Sequence, residues 1–385
     1  MKQTKHGKNE PLFHIVKRES LSTKKKIIFY ASAIFLGLLI GGIICSLYSS
    51  SSTSTVFHFF GSLFSGALGT ARRIWLLLQE TALLLGVSLA LAPAFKMKFW
   101  NLGGNGQILM GCLAYVAAMF YLGGKLPDVL VMIIGLIAGI AAGAVWALIP
   151  ALFKAFFNTN ESLFTLMMNY IAAGIVGVFI TLWVKTGSGV LKPLNNGAIP
   201  ELGNPYLLPI LLFFILAIAM YAYLKYSKQG YEISVVGESN NTAKYVGINT
   251  RRVIIRTMII SGAIAGLVGA VIGGGINHTV SAASASNMGF TAIMTSWLAA
   301  FNPLVMMATS LFIAFISKGM IKVRKDFDFT NDAVANIVIG IVYFAVIAVT
   351  FFLSYKIVFR KGAFDGIKCL FTAKKDTNSE EEKKS

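Results

Sequence analysis

Charge is what this sequence has least of. Asp, Glu, Lys and Arg make up 13% of its 385 residues, against roughly 25% in ordinary soluble domains, which argues against a cytosolic enzyme or a disordered scaffold. Acidic groups are the scarcer sign, 16 against 34 basic residues. Asp326, Asp328 and Asp332 cluster in DFDFTND, but a Mg²⁺ site beside a diphosphate needs a second acidic cluster, and none exists between the apolar runs. The three cysteines (Cys45, Cys112 and Cys369) lack CxxC or Cys/His spacing, so neither a disulfide framework nor a zinc site is supported. Four histidines (His6, His14, His58 and His278) are far apart, and there is no HExxH. Catalysis is rejected.

Apolar length takes the place of charge. The chain is 56% hydrophobic, with 37 Gly and 29 Phe, and its mean hydropathy is +0.71. That length suits roughly 8–11 membrane spans. The net charge of +18 is concentrated beside apolar runs: eight basic residues in 1–26, six in 225–256 and eight in 356–385. Such a distribution follows the positive-inside rule rather than nucleic-acid binding.

Lys24–Lys26 precede an uncharged run to Leu47, read as a signal anchor with a cytoplasmic N-terminus. A Ser/Thr tract (49–55) and a short apolar stretch (56–70), interfacial or re-entrant, follow. Further spans are expected at 74–95, 106–122, 129–153, 163–184, 206–224, 254–276 and 332–355. Asn302-Pro303 divides 288–317 into two shorter pieces. The fold class is therefore all-α: a polytopic integral membrane protein of about ten transmembrane helices, two of them short or broken. Ten helices put Lys318, Lys322, Arg324 and Lys325 outside, which the positive-inside rule disfavours. Nine would export the tail instead. Gly135, Gly139 and Gly143, and later Gly262, Gly266, Gly269 and Gly273, form small-residue stripes that suit close helix packing.

Three segments carry functional information. In FWNLGGNGQILMG (99–111), Asn101, Asn105 and Gln107 stand with glycines between apolar helices. No strand precedes and no GK[ST] follows, so a phosphate loop is excluded. Carboxamides there suit a polar path lining, with an interfacial turn as the alternative. In 156–170, Asn160 and Glu161 open a helix; capping competes with a role for Asn169 and its neighbours in the path. Glu80 is a carboxylate inside a span, a mark of function or of a hydrogen-bonded structural group. The longest hydrophilic stretch, 225–256, suits one or two short helices divided near Gly237, presented to a soluble partner.

At these segments the chain resembles the permease subunits of ATP-binding-cassette importers, in the branched-chain amino acid, ribose and nucleoside family. Asn101 to Gln107 is similar to that family's NIGGEGQ, Asn160 to Tyr170 to NEVISTIMLNYIA, and Gly230 to Ile248 to GYELRAVGxNxxAAxYAGI. The first, second and last matches, 288–303, are closest to the nucleoside branch. Asn105 stands where the family usually has Glu, and Ser234 where it often has Arg.

The resemblance implies a permease domain over 27–355, flanked by a cytoplasmic segment (1–26) and a charged cytoplasmic tail (356–385), in the plasma (inner) membrane. It implies an ATPase-coupling loop over 225–253 carrying Gly230, Glu232, Gly237, Ala243, Gly247 and Ile248. It also implies a separate ATPase subunit that uses the ATP, a second permease subunit and an extracytoplasmic solute-binding protein, with no cofactor in this chain and no nucleic acid partner. A nucleoside path would be lined by Glu80, Asn101, Asn105, Gln107, Asn160, Glu161, Asn169, Trp297 and Asn302, and import would proceed by alternating access. Alternatives are a ribose, other sugar or branched-chain amino acid permease, or a secondary transporter, which would need ion-coupling carboxylates at the midplane.

Overall fold

The computed structural model describes residues 13–17, 22–49, 55–184, 190–329 and 333–359. Two compact units emerge: residues up to 44 with those from 340, and residues 45–339. Most of the expected terminal segments, Cys369 and Asp332 lie outside the described residues.

In the first unit, β1 (Phe13–Lys17) pairs antiparallel with β2 (Tyr355–Phe359), Phe13 opposite Phe359 and Lys17 opposite Tyr355. This ladder is an addition to the all-α expectation; the Ile-Val pairs in FHIVK and YKIVF favour extended backbone. The unit also holds the first part of α1 (Thr23–Tyr48) and most of α13 (Ala333–Ser354). Gly37 faces Val342, where a Cβ would lie 3.1 Å from its Cα.

The second unit runs through α2 (Val56–Leu68), α3 (Ala71–Lys96), α4 (Gly104–Leu122), α5 (Asp128–Phe157), α6 (Glu161–Trp183) and α7 (Leu207–Tyr226). Two short helices follow, α8 (Lys228–Glu238) and α9 (Asn240–Tyr245). Then come α10 (Thr250–Val271), with a π-helical turn to Asn277, α11 (Met288–Leu298) and α12 (Pro303–Asp326). Helix starts are written in the sequence: Thr70, Asn160, Ser227, Ser239, Asn249 and Asn302 each cap one with a side-chain oxygen. Among the described residues nine helices are long and apolar enough to cross a membrane, and α2 and α11 are shorter.

The glycine stripes meet as packing surfaces. Gly143 of α5 lies against Gly262 and Gly266 of α10, Gly139 against Ala270, and Gly111 of α4 against Gly266. Helices α4, α5 and α10 share the most extensive interfaces in the fold. In lipid, where apolar burial drives little, such close approach supplies the attraction.

One expectation needs correction. The break at Asn302-Pro303 is real, but its second piece does not stop near 317: α12 continues to Asp326 and is ~36 Å long. Lysine side chains are tolerated there because they are partnered. Lys318 pairs with Glu80 (3.3 Å), and Lys322 with Asp326 (3.7 Å) and the Ser65 hydroxyl. These cations lie at the end of the bundle opposite α8 and α9. The start of α12 stacks Phe301 on Phe95, beside Lys96, whose carbonyl meets Gly237 of α8.

Candidate functional site

Between the end of α3 and the start of α4 the backbone turns back through 97–103, and its polar groups are buried rather than solvated. Asn101 is fully buried. Its carbonyl oxygen accepts from Gly103 N (3.0 Å) and Gln107 Nε2 (3.2 Å), and its amide donates to Ser261 Oγ of α10 (3.2 Å). Thr165 of α6 accepts from Leu102 N at 3.0 Å. Asn169, one turn on, accepts from Gly106 N (2.8 Å) and donates to Leu102 O (2.9 Å). Buried carboxamides satisfied this fully tie α3, α4, α6 and α10 into one rigid floor.

Over that floor runs an irregular strip, 278–287. After the π-helical turn the chain reverses: His278 (φ +52°) accepts from Leu194 N, and Thr279 O lies beside Cys112 Sγ at mid-α4. Successive tight turns carry it alongside α4 to Asn287, and Gly289 N donates to Asn105 Oδ1 at 2.8 Å. Ser286 (φ +44°) and Asn287 (φ +56°) both hold left-handed backbone, a strained state that clusters at ligand sites. Irregular backbone alongside a spanning helix is tolerated where it is buried in protein or lines a cavity.

A cavity of about 300 Å³ is the result. Asn105 and Leu109 of α4, Leu166, Asn169, Tyr170 and Ala173 of α6, Ala282, Ala283 and Ala285 to Asn287 of the strip, and Phe290 of α11 line it. Its polar groups are carboxamides and hydroxyls, its apolar surface is aromatic and aliphatic, and among the described residues no charged side chain lines it.

Of the expected path residues, Asn105 and Asn169 meet in this cavity. Asn101 and Gln107 stand behind it in the floor. Asn160 caps α6 through Leu163 N (3.2 Å), and Glu161 pairs with Lys154 at 2.8 Å. Asn302 caps α12 through Leu304 N (3.1 Å); Trp297, half exposed, packs 5.5 Å from the Trp100 ring. Glu80 sits against Lys318 and outside the cavity lining.

The segment 225–253 folds as α8 and α9, divided at Ser239, two residues after Gly237. Ile233, Val236, Gly237 and Ala243 turn inward, and Glu232 pairs with Arg256 of α10 at 2.9 Å. Gly247 (φ +77°) ends α9, where Ile248 N donates back to Ala243 O. Tyr231, Tyr245 and Val246 are left exposed, Tyr245 by 92%.

Residues 75–347 match the protein family described as the branched-chain amino acid transport system / permease component. The chain belongs to this family. It is a multi-pass membrane transport permease. The guanosine ABC transporter permease protein NupP of Bacillus subtilis (strain 168) is 28% identical to it over 277 residues, 69% of this chain and 77% of that one. The nucleoside ABC transporter permease protein NupB of Lactococcus lactis subsp. cremoris (strain MG1363) is 27% identical over 357 residues, 87% and 92%. The glucose ABC transporter permease protein TsgB13 of Haloferax volcanii is 25% identical over 315 residues, 77% and 82%.

Sequence reasoning included the helix up to Tyr170 but passed over three lining groups of this permease: Ser286, Asn287 and Phe290. The available signal was SAASASN (281–287), a run of small residues between two apolar helices.

Proposed function

We propose that this permease is the membrane-spanning subunit of an ATP-binding-cassette importer and that its substrate is a nucleoside. One observation carries the substrate class: the cavity lining offers carboxamides, hydroxyls and the rings of Tyr170 and Phe290, with no charged side chain among the described residues. A nucleoside is neutral, with a flat base to stack and edges to hydrogen-bond. A branched-chain amino acid would bring a carboxylate and an ammonium, whose burial is costly without fixed partners. The nucleoside relatives add support.

In this reading α8 and α9 dock a separate ATPase subunit, with Gly230, Glu232, Gly237, Ala243, Gly247 and Ile248 shaping the element. Motion there has a short route to the cavity. The end of α8 packs under Lys96 at the end of α3, and residues 97–103 lead from that point to the floor around Asn101. Closing of the ATPase on ATP shifts α8, tilts the end of α3 and reshapes the cavity, which gives alternating access. A second permease subunit and an extracytoplasmic solute-binding protein complete the importer, and both termini are cytoplasmic in the plasma membrane.

Uptake of labelled inosine, ribose and leucine in cells with and without the gene tests this. Loss of inosine uptake, competed by other nucleosides, supports the reading. Loss of leucine uptake alone refutes the argument from an uncharged cavity, and loss of ribose uptake alone makes the substrate a simple sugar.

A further inference from the structure

A second, larger crevice of about 590 Å³ opens where α5 ends and α10 begins, beside α9. Lys154, Lys244 and Arg251 line it with Asn158, Asn240 and Asn249. Glu161 neutralises Lys154 at 2.8 Å. Lys244 and Arg251 have no acidic partner among the described residues. The first turn of α10, Thr250 and Arg251, faces the same space, so the positive end of a 22-residue helix adds to the two cations.

The rim is as informative as the charge. Phe153, Phe156 and Phe157, in the last turns of the spanning helix α5, are 41%, 55% and 73% exposed. Arg251 lies over the Phe156 ring, 5.5 Å from its centroid. Exposed phenyl rings in the last turns of a spanning helix lie in the apolar layer, so the helix end beside them marks the level where hydrocarbon gives way to headgroups. Cations beside them attract acidic lipid. An acidic surface on a soluble partner would explain the cations but leave those rings in water.

We propose that this crevice binds a phosphate ester group, that of an anionic membrane lipid, at the surface that carries α8 and α9. Lys244 and Arg251 hold the phosphate oxygens, the α10 N-terminus faces them, and the Phe156 and Phe157 rings lie along the lipid's apolar part. A bound lipid bridges α5, α9 and α10 and stiffens α9 against the bundle. This stands whether or not the substrate is a nucleoside.

Native mass spectrometry of the full chain in detergent tests it, titrating phosphatidylglycerol, phosphatidylcholine or inorganic phosphate. Three proteins are compared: wild type, Lys244→Gln with Arg251→Gln, and a control, Lys125→Gln with Lys192→Gln, that removes the same charge elsewhere. Wild type and control should retain phosphatidylglycerol over phosphatidylcholine, and the crevice variant should lose that retention by about tenfold or more. Unfolding temperatures report that each variant is folded; a fourth protein, Lys244→Gln alone, changed at one exposed position, should give an intermediate loss. Preferential stabilisation of wild type by inorganic phosphate, absent in the crevice variant and without lipid preference, keeps the phosphate chemistry and makes its source soluble. Equal lipid retention and equal phosphate response in all three proteins overturn the proposal. Unchanged lipid retention with loss of ATPase stimulation also overturns it and assigns the cations to a soluble partner.

Discussion

Replacing Gly143 with alanine adds one methyl group to α5 where no atom can make way for it. Its Cβ would lie 2.6 Å from Gly266 Cα and 2.7 Å from Gly266 N, both backbone of α10. Carbon contacts settle near 3.5–4.0 Å, so the two helices must part by about 1 Å. Overpacking of this kind costs about 1–3 kcal/mol, and the better helix propensity of alanine offsets about 1 kcal/mol of that. Because the obstacle here is backbone, the upper end of that range applies, and the net loss of about 2 kcal/mol lowers the unfolding temperature by roughly 2–3 °C. Gly174 of α6 is the control: no atom lies within 4 Å of a Cβ built there, so Gly174→Ala should be neutral or slightly stabilising. Unfolding can be followed with a thiol-reactive fluorophore in a Cys369→Ser background, because Cys45 and Cys112 are buried free thiols. A wild-type unfolding temperature for Gly143→Ala, or an equal fall for Gly174→Ala, would refute the close-packing account.

Three further outcomes are expected. Asn169→Leu strands Gly106 N and Leu102 O, each orphaned group costing about 1–3 kcal/mol; thermal stability and uptake should both fall, and normal uptake would show that the floor is not needed. Gly237→Ala sets a methyl against the Lys96 carbonyl, so membrane insertion should persist while ATPase stimulation by the complex drops, an effect read by ATP turnover in reconstituted vesicles. Glu80→Gln breaks a partly exposed pair with Lys318, worth about 0–1 kcal/mol; uptake should be close to wild type, and its abolition would bring Glu80 back into the substrate path.

Most of the helical plan is legible in the sequence because lipid imposes it: uncharged runs of about 20 residues must span, and Ser, Thr or Asn marks the start of many of the helices. The end of α12 was hidden because Lys318 reads as an end signal, whereas its partner Glu80 comes from α3, far away in the chain. The glycine stripes announced close packing, but not that α5 and α10 would be partners. At the site, Asn105 and Asn169 are visible as carboxamides in apolar surroundings. Asn101 and Gln107 carry the same signal yet turn inward, since a side chain satisfied by its neighbours looks identical in sequence to one awaiting a ligand. The strip 278–287 has no periodicity to read. Its path is set by Leu194, Ile199 and Asn105, all distant in the chain.

Where the substrate passes is tested most directly by photocrosslinking. The assembled complex in membrane vesicles would be labelled with 8-azidoadenosine under ultraviolet light, with and without excess inosine, and the modified peptides mapped. The account predicts inosine-protected labelling within residues 166–173 and 282–290, the two walls of the cavity. Protected labelling confined to the Glu80–Lys318 side of the bundle, with those two stretches unmodified, would contradict it.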